Sequence, residues 1–120
     1  MASQGETEQE EKARAKTPRL PARDLRGTHR KYLRGLAHHL DPVVHVGKEG
    51  VSEALVDALA VALDQRELLK VKVLEGAPLP RKEAALLMAE AAGAHVAGQL
   101  GRVVILYRRH PEEPRIELPR

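Results

Sequence analysis

The 120-residue sequence predicts an α/β (α+β) domain in the order helix-strand-helix-strand-helix-strand-strand, with a mixed four-stranded sheet covered by helices. Three observations carry that expectation. Three segments repeat apolar residues at helical spacing. Short β-branched runs stand between and after them. Proline and glycine punctuate the joins. Strands separated by a crossover helix are expected to pair in parallel, and the last two, joined by a tight turn, to pair antiparallel.

Residues 27–39 give the first helix. Tyr32, Leu33, Leu36 and Leu40 form its expected core stripe. Arg26, Arg30, Arg34 and His38 recur every fourth residue on another face, with Lys31 beside Arg34. Asp41-Pro42 stops the helix, since proline disfavours a helical residue before it. Pro42-Val43-Val44-His45-Val46 reads as a strand, and Gly47-Lys48-Glu49-Gly50 breaks it. Ser52 is placed to cap a second helix running to about Arg66, with Leu55, Val56, Leu59 and Leu63 inward. From Leu68 to Leu74, Leu69, Val71 and Val73 alternate with Lys70 and Lys72, the period of a half-buried strand.

After the loop Gly76-Ala77-Pro78-Leu79-Pro80, a third helix near Arg81–Ala92 is expected to bury Ala84, Leu87, Met88 and Ala91, ending at Gly93. Strands near His95–Leu100 and Arg102–Arg108 flank Gly101 as a hairpin. Residues 1–22 carry alternating charge, two prolines and few bulky apolar groups, so a disordered tail is expected there. The division is therefore a tail at 1–22, a domain at 23–110 and a surface tail at 111–120.

Composition excludes several functions. The absence of cysteine rules out disulfides and thiolate metal sites. No apolar run suits a signal peptide or a membrane span, so a soluble, cytoplasmic protein without membrane contact is expected. His38-His39 and His45 match no metal-ligand pattern, and neither metal nor cofactor is expected. Thr28 and Ser52 sit in no nucleophile motif, Asp57 and Asp64 read as solvated carboxylates, and Glu67 and Glu75 flank a strand without an evident partner. Catalysis is not expected.

The net charge of +3 is unevenly placed. Residues 1–22 and 51–120 are each neutral, so the excess lies in residues 23–50, where six cations face Asp24, Asp41 and Glu49. Such a cluster is either the footprint of a polyanion or a solvated helix face. Gly47-Lys48-Glu49-Gly50, between a strand and a helix N-terminus, is the candidate phosphate-binding loop. A G-x-x-G loop clamps the nucleic-acid backbone in KH domains. The alternative is an ordinary turn before a helix, and Gly98/Gly101 repeat the same spacing inside the final hairpin. Tyr32 and Tyr107 are the sole aromatic rings besides histidine; with Tyr32 placed on the core stripe, at most Tyr107 is free. Stacking of bases across an aromatic platform is therefore not expected, and backbone clamping is.

Leu33-Arg34-Gly35-Leu36-Ala37-His38 and Pro42-Val43-Val44-His45-Val46-Gly47-Lys48-Glu49-Gly50 resemble the opening of YhbY-like CRM domains (chloroplast RNA splicing and ribosome maturation). Glu67 to Val73, Gly101 to Arg108 and Leu118-Pro119-Arg120 follow in that family's order. The resemblance implies a fold similar to the C-terminal domain of translation initiation factor three. It also implies RNA binding through the first helix and the glycine loop, at Arg30, Lys31, Arg34, His38, Gly47, Lys48 and Gly50. Single-domain bacterial members associate with precursors of the large ribosomal subunit. The implied function is thus an assembly factor binding precursor ribosomal RNA in ribosomal particles, and a monomer is expected. A protein-interaction module on those particles and an RNA splicing or chaperone accessory factor are the alternatives. Arg26 stands where the family often has a capping Thr, and Thr28-His29 where it has Lys-Gln, which removes a cap and a basic residue.

Overall fold

The computed structural model describes residues 25–119. Three helices and four strands follow the expected order: α1 (Gly27–Ala37), β1 (Pro42–Val46), α2 (Glu53–Arg66), β2 (Leu68–Val73), α3 (Arg81–Ala92), β3 (His95–Leu100) and β4 (Val103–Tyr107). The tail expected at residues 1–22 lies outside the described residues.

The sheet order is β1-β2-β4-β3. β1 and β2 pair in parallel, and β4 is antiparallel to both β2 and β3. The pairing expected between β2 and β3 is therefore replaced. These strands run in the same direction, but the last strand returns through the hairpin and inserts between them. Gly101, at φ 59°, makes the tight turn between β3 and β4.

Two apolar clusters lie on opposite faces of the sheet. Leu59 and Leu63 of α2 and Ala84, Ala85, Met88 and Ala92 of α3 pack on Leu69, Val71, Val104 and Leu106. On the other face, Leu25 with Leu33 and Ala37 of α1 pack on Leu68, Ala97, Ile105 and Tyr107. The C-terminal segment crosses the surface there and adds Ile116 and Leu118 to the same cluster.

The helical stripes need correction in two places. In α1 the buried positions are Leu33 and Ala37, whereas Tyr32 and Leu36 are both 41% exposed. In α3, Ala85 and Ala92 are buried, while Leu87 and Ala91 are exposed. In each case the buried arc is rotated toward small residues, because alanine lets the helix lie close to the sheet. Tyr107, expected as the free ring, is buried in the second cluster, beside the His95 ring at 6.5 Å between centroids.

The ends of α2 show how the fold holds together. Ser52 accepts a hydrogen bond from the Leu55 N–H at 3.2 Å, and Glu53 occupies the first turn, so the N-terminus is capped as expected. At the other end Glu67 takes φ 61°, a backbone region costly for a residue with a Cβ. Its buried carboxylate accepts the N–H groups of His110, Arg115 and Ile116 at 2.8, 2.8 and 3.0 Å. Glu67 thus has three partners, contrary to expectation, and pins the C-terminal segment to the domain. Glu75 faces Arg102 at 3.7 Å. Asp64, read as a solvated carboxylate, accepts from buried Arg108 at 2.7 Å. Arg108 also donates to the carbonyls of Ala92 and Ala60 at 2.8 and 3.0 Å, joining both helices to the end of β4.

Candidate nucleic-acid interface

Residues 26–39 contain four cations, three histidines and no carboxylate. The first turn of α1 lacks the acidic residue that would offset the helix dipole. Arg26 supplies no side-chain cap. Instead the His29 ring stands in: Nδ1 accepts from the Arg26 N–H at 3.2 Å, and Nε2 lies 2.8 Å from the Pro119 carbonyl. Those partners assign the tautomer with hydrogen on Nε2. His29 therefore does the capping task that the Arg26 side chain does not.

The basic row on α1 divides into two kinds. Arg30 is half-buried and structural: it donates to the Leu25 carbonyl at 2.6 Å and reaches the Val96 carbonyl at 3.4 Å. Arg34 lies across edge strand β3, 3.5 Å from the Ala97 carbonyl. A Cβ at Gly98 would sit 2.6 Å from the Arg34 Cδ, so this glycine makes room for the arginine stem. That gives the second G-x-x-G a packing explanation. Both arginines cover backbone carbonyls of an open edge, which blunts strand-to-strand association. Arg34, Lys31 and His38 nevertheless remain exposed.

The Gly47–Gly50 loop is a turn closed by the Gly50 N–H on the Gly47 carbonyl at 2.9 Å. Gly50 takes φ 68°, and a Cβ there would lie 3.1 Å from Pro78 Cγ. Its glycine is thus required by the fold itself. Gly50 is buried and Gly47 half-buried, while Lys48 and Glu49 project outward. Glu49 and Glu53 both sit near this helix N-terminus, so its positive field is partly offset, unlike that of α1.

Between α1 and the loop lies a stretch of open sheet. Val44 and Val46 face the α2/α3 side, which puts Val43 and His45 on the α1 side. Lys70 and Lys72 share that side, opposite Leu69, Val71 and Val73. Lys70 Nζ lies 3.5 Å from the His38 carbonyl, and Lys72 is in register with His45 on the neighbouring strand. A strip therefore runs from the His38 end of α1 through Lys70, Lys72 and His45 to Lys48, while Arg34 lies over β3 at the other edge of the sheet. Sequence reasoning missed its middle. The alternation in β2 marks Lys70 and Lys72 as outward, but not that α1 stops short of covering them.

The sequence profile of the CRS1 / YhbY (CRM) domain matches residues 25–108. This chain belongs to that family. The CRM chain is 35% identical over 95 residues to the "probable RNA-binding protein YqeI" of Bacillus subtilis, covering 79% of this chain and 99% of the relative. It is 40% identical over 93 residues to an "RNA-binding protein" of Haemophilus influenzae, covering 76% and 91% of the two chains. The solution structure of the hypothetical protein SAV1595 from Staphylococcus aureus superimposes with a TM-score of 0.69 at 37% identity, covering 79% and 99%. The expected helix-and-mixed-sheet fold is thereby borne out. Among the described residues no cluster of His, Asp or Glu could hold a metal ion, and no helix is long and apolar enough to cross a membrane.

Proposed function

We propose that this CRM domain is a non-enzymatic, cytoplasmic RNA-binding factor that grips the phosphate backbone of precursor ribosomal RNA during large-subunit assembly. The observation that carries the reading is the acid-free α1 joined to Lys48 by the open-face cations Lys70 and Lys72. Phosphates spaced along an RNA strand can meet those cations in succession, with counterions released at each contact. Lys48 reaches out from the glycine loop. Gly47 keeps the loop backbone low, and Gly50 fixes its turn. Arg30 holds α1 in place, while Lys31, Arg34 and His38 present the helix to RNA. The relatives' RNA-binding names support the partner class, and the likeness to single-domain bacterial members supports the ribosomal setting.

Sedimentation of the tagged protein in source-cell lysate tests the setting. Co-migration with large-subunit precursors, lost after a salt wash, is the expected result. Retention at the top of the gradient at low salt would refute the ribosomal assignment. A second reading, docking through ribosomal proteins, is favoured by Leu86 and Leu87 on α3, at 60% and 46% exposure. Under that reading Leu86→Ser would release the protein from the particles, and Lys48→Ala would not.

A further inference from the structure

Tyr32 and Leu36 project from α1 into solvent on the flank away from Arg34, where the apolar stripe was expected to be core. Between Lys31 and Tyr32 the helix surface is notched at Gly35. The notch is an almost wholly apolar hollow, with Thr28 and Pro119 completing its wall. Pro119 is held there by the His29 ring on its carbonyl at 2.8 Å.

Gly35 has no reason inside the fold to be glycine. A Cβ built on it meets no atom within 4 Å beyond its chain neighbours and its own helix backbone, and its φ is not positive. A mid-helix glycine costs about 1 kcal/mol relative to alanine. The helix carries that cost while leaving a flat gap beside an exposed ring, with Lys31 at the rim. Amphipathic rings beside a cation suit a nucleobase: the base stacks on the ring while its phosphate meets the charge.

We propose that the Tyr32–Gly35 hollow receives one unpaired RNA base, stacked on the Tyr32 ring, with the adjoining phosphate on Lys31. The inference rests on the RNA-binding reading and adds to it a single base contact beyond the backbone grip. Thus an RNA with an unpaired nucleotide binds more tightly than a fully paired one of equal charge.

Tyrosine fluorescence of the full chain tests it, because there is no tryptophan and Tyr107 is buried. Saturating single-stranded RNA should quench the emission, whereas saturating inorganic polyphosphate, which supplies charge without bases, should not. Tyr32→Phe should keep affinity within about twofold and abolish the quenching. Tyr32→Ala should weaken RNA binding roughly 5- to 150-fold, the worth of one stacked base. Gly35→Gln should raise the thermal midpoint, as a better helix former, yet weaken RNA binding. Unquenched emission in saturated complex, or Tyr32→Ala binding RNA as the wild type does, would overturn stacking while leaving the backbone grip intact. Failure of the wild type to bind any RNA would overturn both. A tyrosine signal that follows protein concentration instead of RNA would assign the hollow to a second copy of the chain and also overturn the proposal.

Discussion

The two faces of the sheet are built to different ends. On one side α2 and α3 close over a continuous apolar cluster, and buried Arg108 ties their backbones to β4. On the other side α1 and the C-terminal segment cover only part of the sheet, leaving Val43, His45 and Lys72 open. On the closed face Asp64 pairs with Arg108, and Glu53 occupies the first turn of α2. Among the described residues the open-face cations form no ion pair with a carboxylate, and the first turn of α1 holds no acidic residue. The first arrangement ties two helices to the sheet through one buried cation. The second accepts an electrostatic cost that a polyanion would offset.

Glu67→Ala should show the largest stability effect, because it strips three part-buried N–H groups of their acceptor. Unsatisfied donors cost about 1–3 kcal/mol each, and relaxation of the segment lowers the sum, so a loss of about 3 kcal/mol is expected in urea unfolding. RNA affinity of the folded fraction should change little. If Glu67→Ala unfolds at the wild-type urea midpoint, the docking of the C-terminal segment is not as described.

The reverse separation is expected on the open face. Lys70→Ala with Lys72→Ala should weaken RNA binding about tenfold at moderate salt, since each lost phosphate contact lowers the salt slope by about 0.7 on single strands. The unfolding midpoint should hold, as exposed charges contribute little to folding. Fluorescence anisotropy with labelled RNA measures the first, and urea unfolding the second. A smaller gain is expected from Glu49→Gln. Removing the carboxylate beside Lys48 should tighten binding a few-fold, with the gain fading as salt rises.

The smallest effect concerns Tyr107, whose hydroxyl is pushed up from 10.0 to about 12, first by burial and then by the Glu67 carboxylate, with Arg109 opposing. The folded chain keeps this proton after the unfolded chain releases it. Stability is therefore full below the unfolded value and declines as pH rises toward the folded one. Tyr107→Phe should flatten that decline in urea unfolding compared at about pH 9 and about pH 11. Its hydroxyl has no hydrogen-bond partner among the described residues, so the substitution should cost little at neutral pH.

Much of this contrast is legible in the sequence, and the misses share a cause. Periodicity places all seven elements, with α3 agreeing at both ends, because Pro80 and Gly93 mark them. It does not say which arc of a short amphipathic helix meets the sheet. Tyr32 and Leu36 are more apolar than Ala37, yet the small residue goes inward because α1 lies close to Ala97 and Ile105. The same limit exchanged the two tyrosines, so that Tyr32 and not Tyr107 is the exposed ring. Arg30 looked like a free cation, since nothing in the sequence shows that the Leu25 and Val96 carbonyls converge on it. The alternation in β2 marks Lys70 and Lys72 as facing away from Leu69, Val71 and Val73, and the sheet has them so. The exposure of Lys72 depends on α1 ending at Ala37, so that the sheet beyond stays uncovered.

The most direct test of the central claim is the salt dependence of RNA affinity, measured for the wild type and for the Lys48→Ala, Lys70→Ala, Lys72→Ala variant. A backbone grip along the open face predicts a steep linear fall of log affinity with log salt. The triple variant should have a slope shallower by about 2, at about 0.7 per lost contact. A wild-type slope near zero, or a variant slope equal to it, would contradict the assignment of this face to RNA.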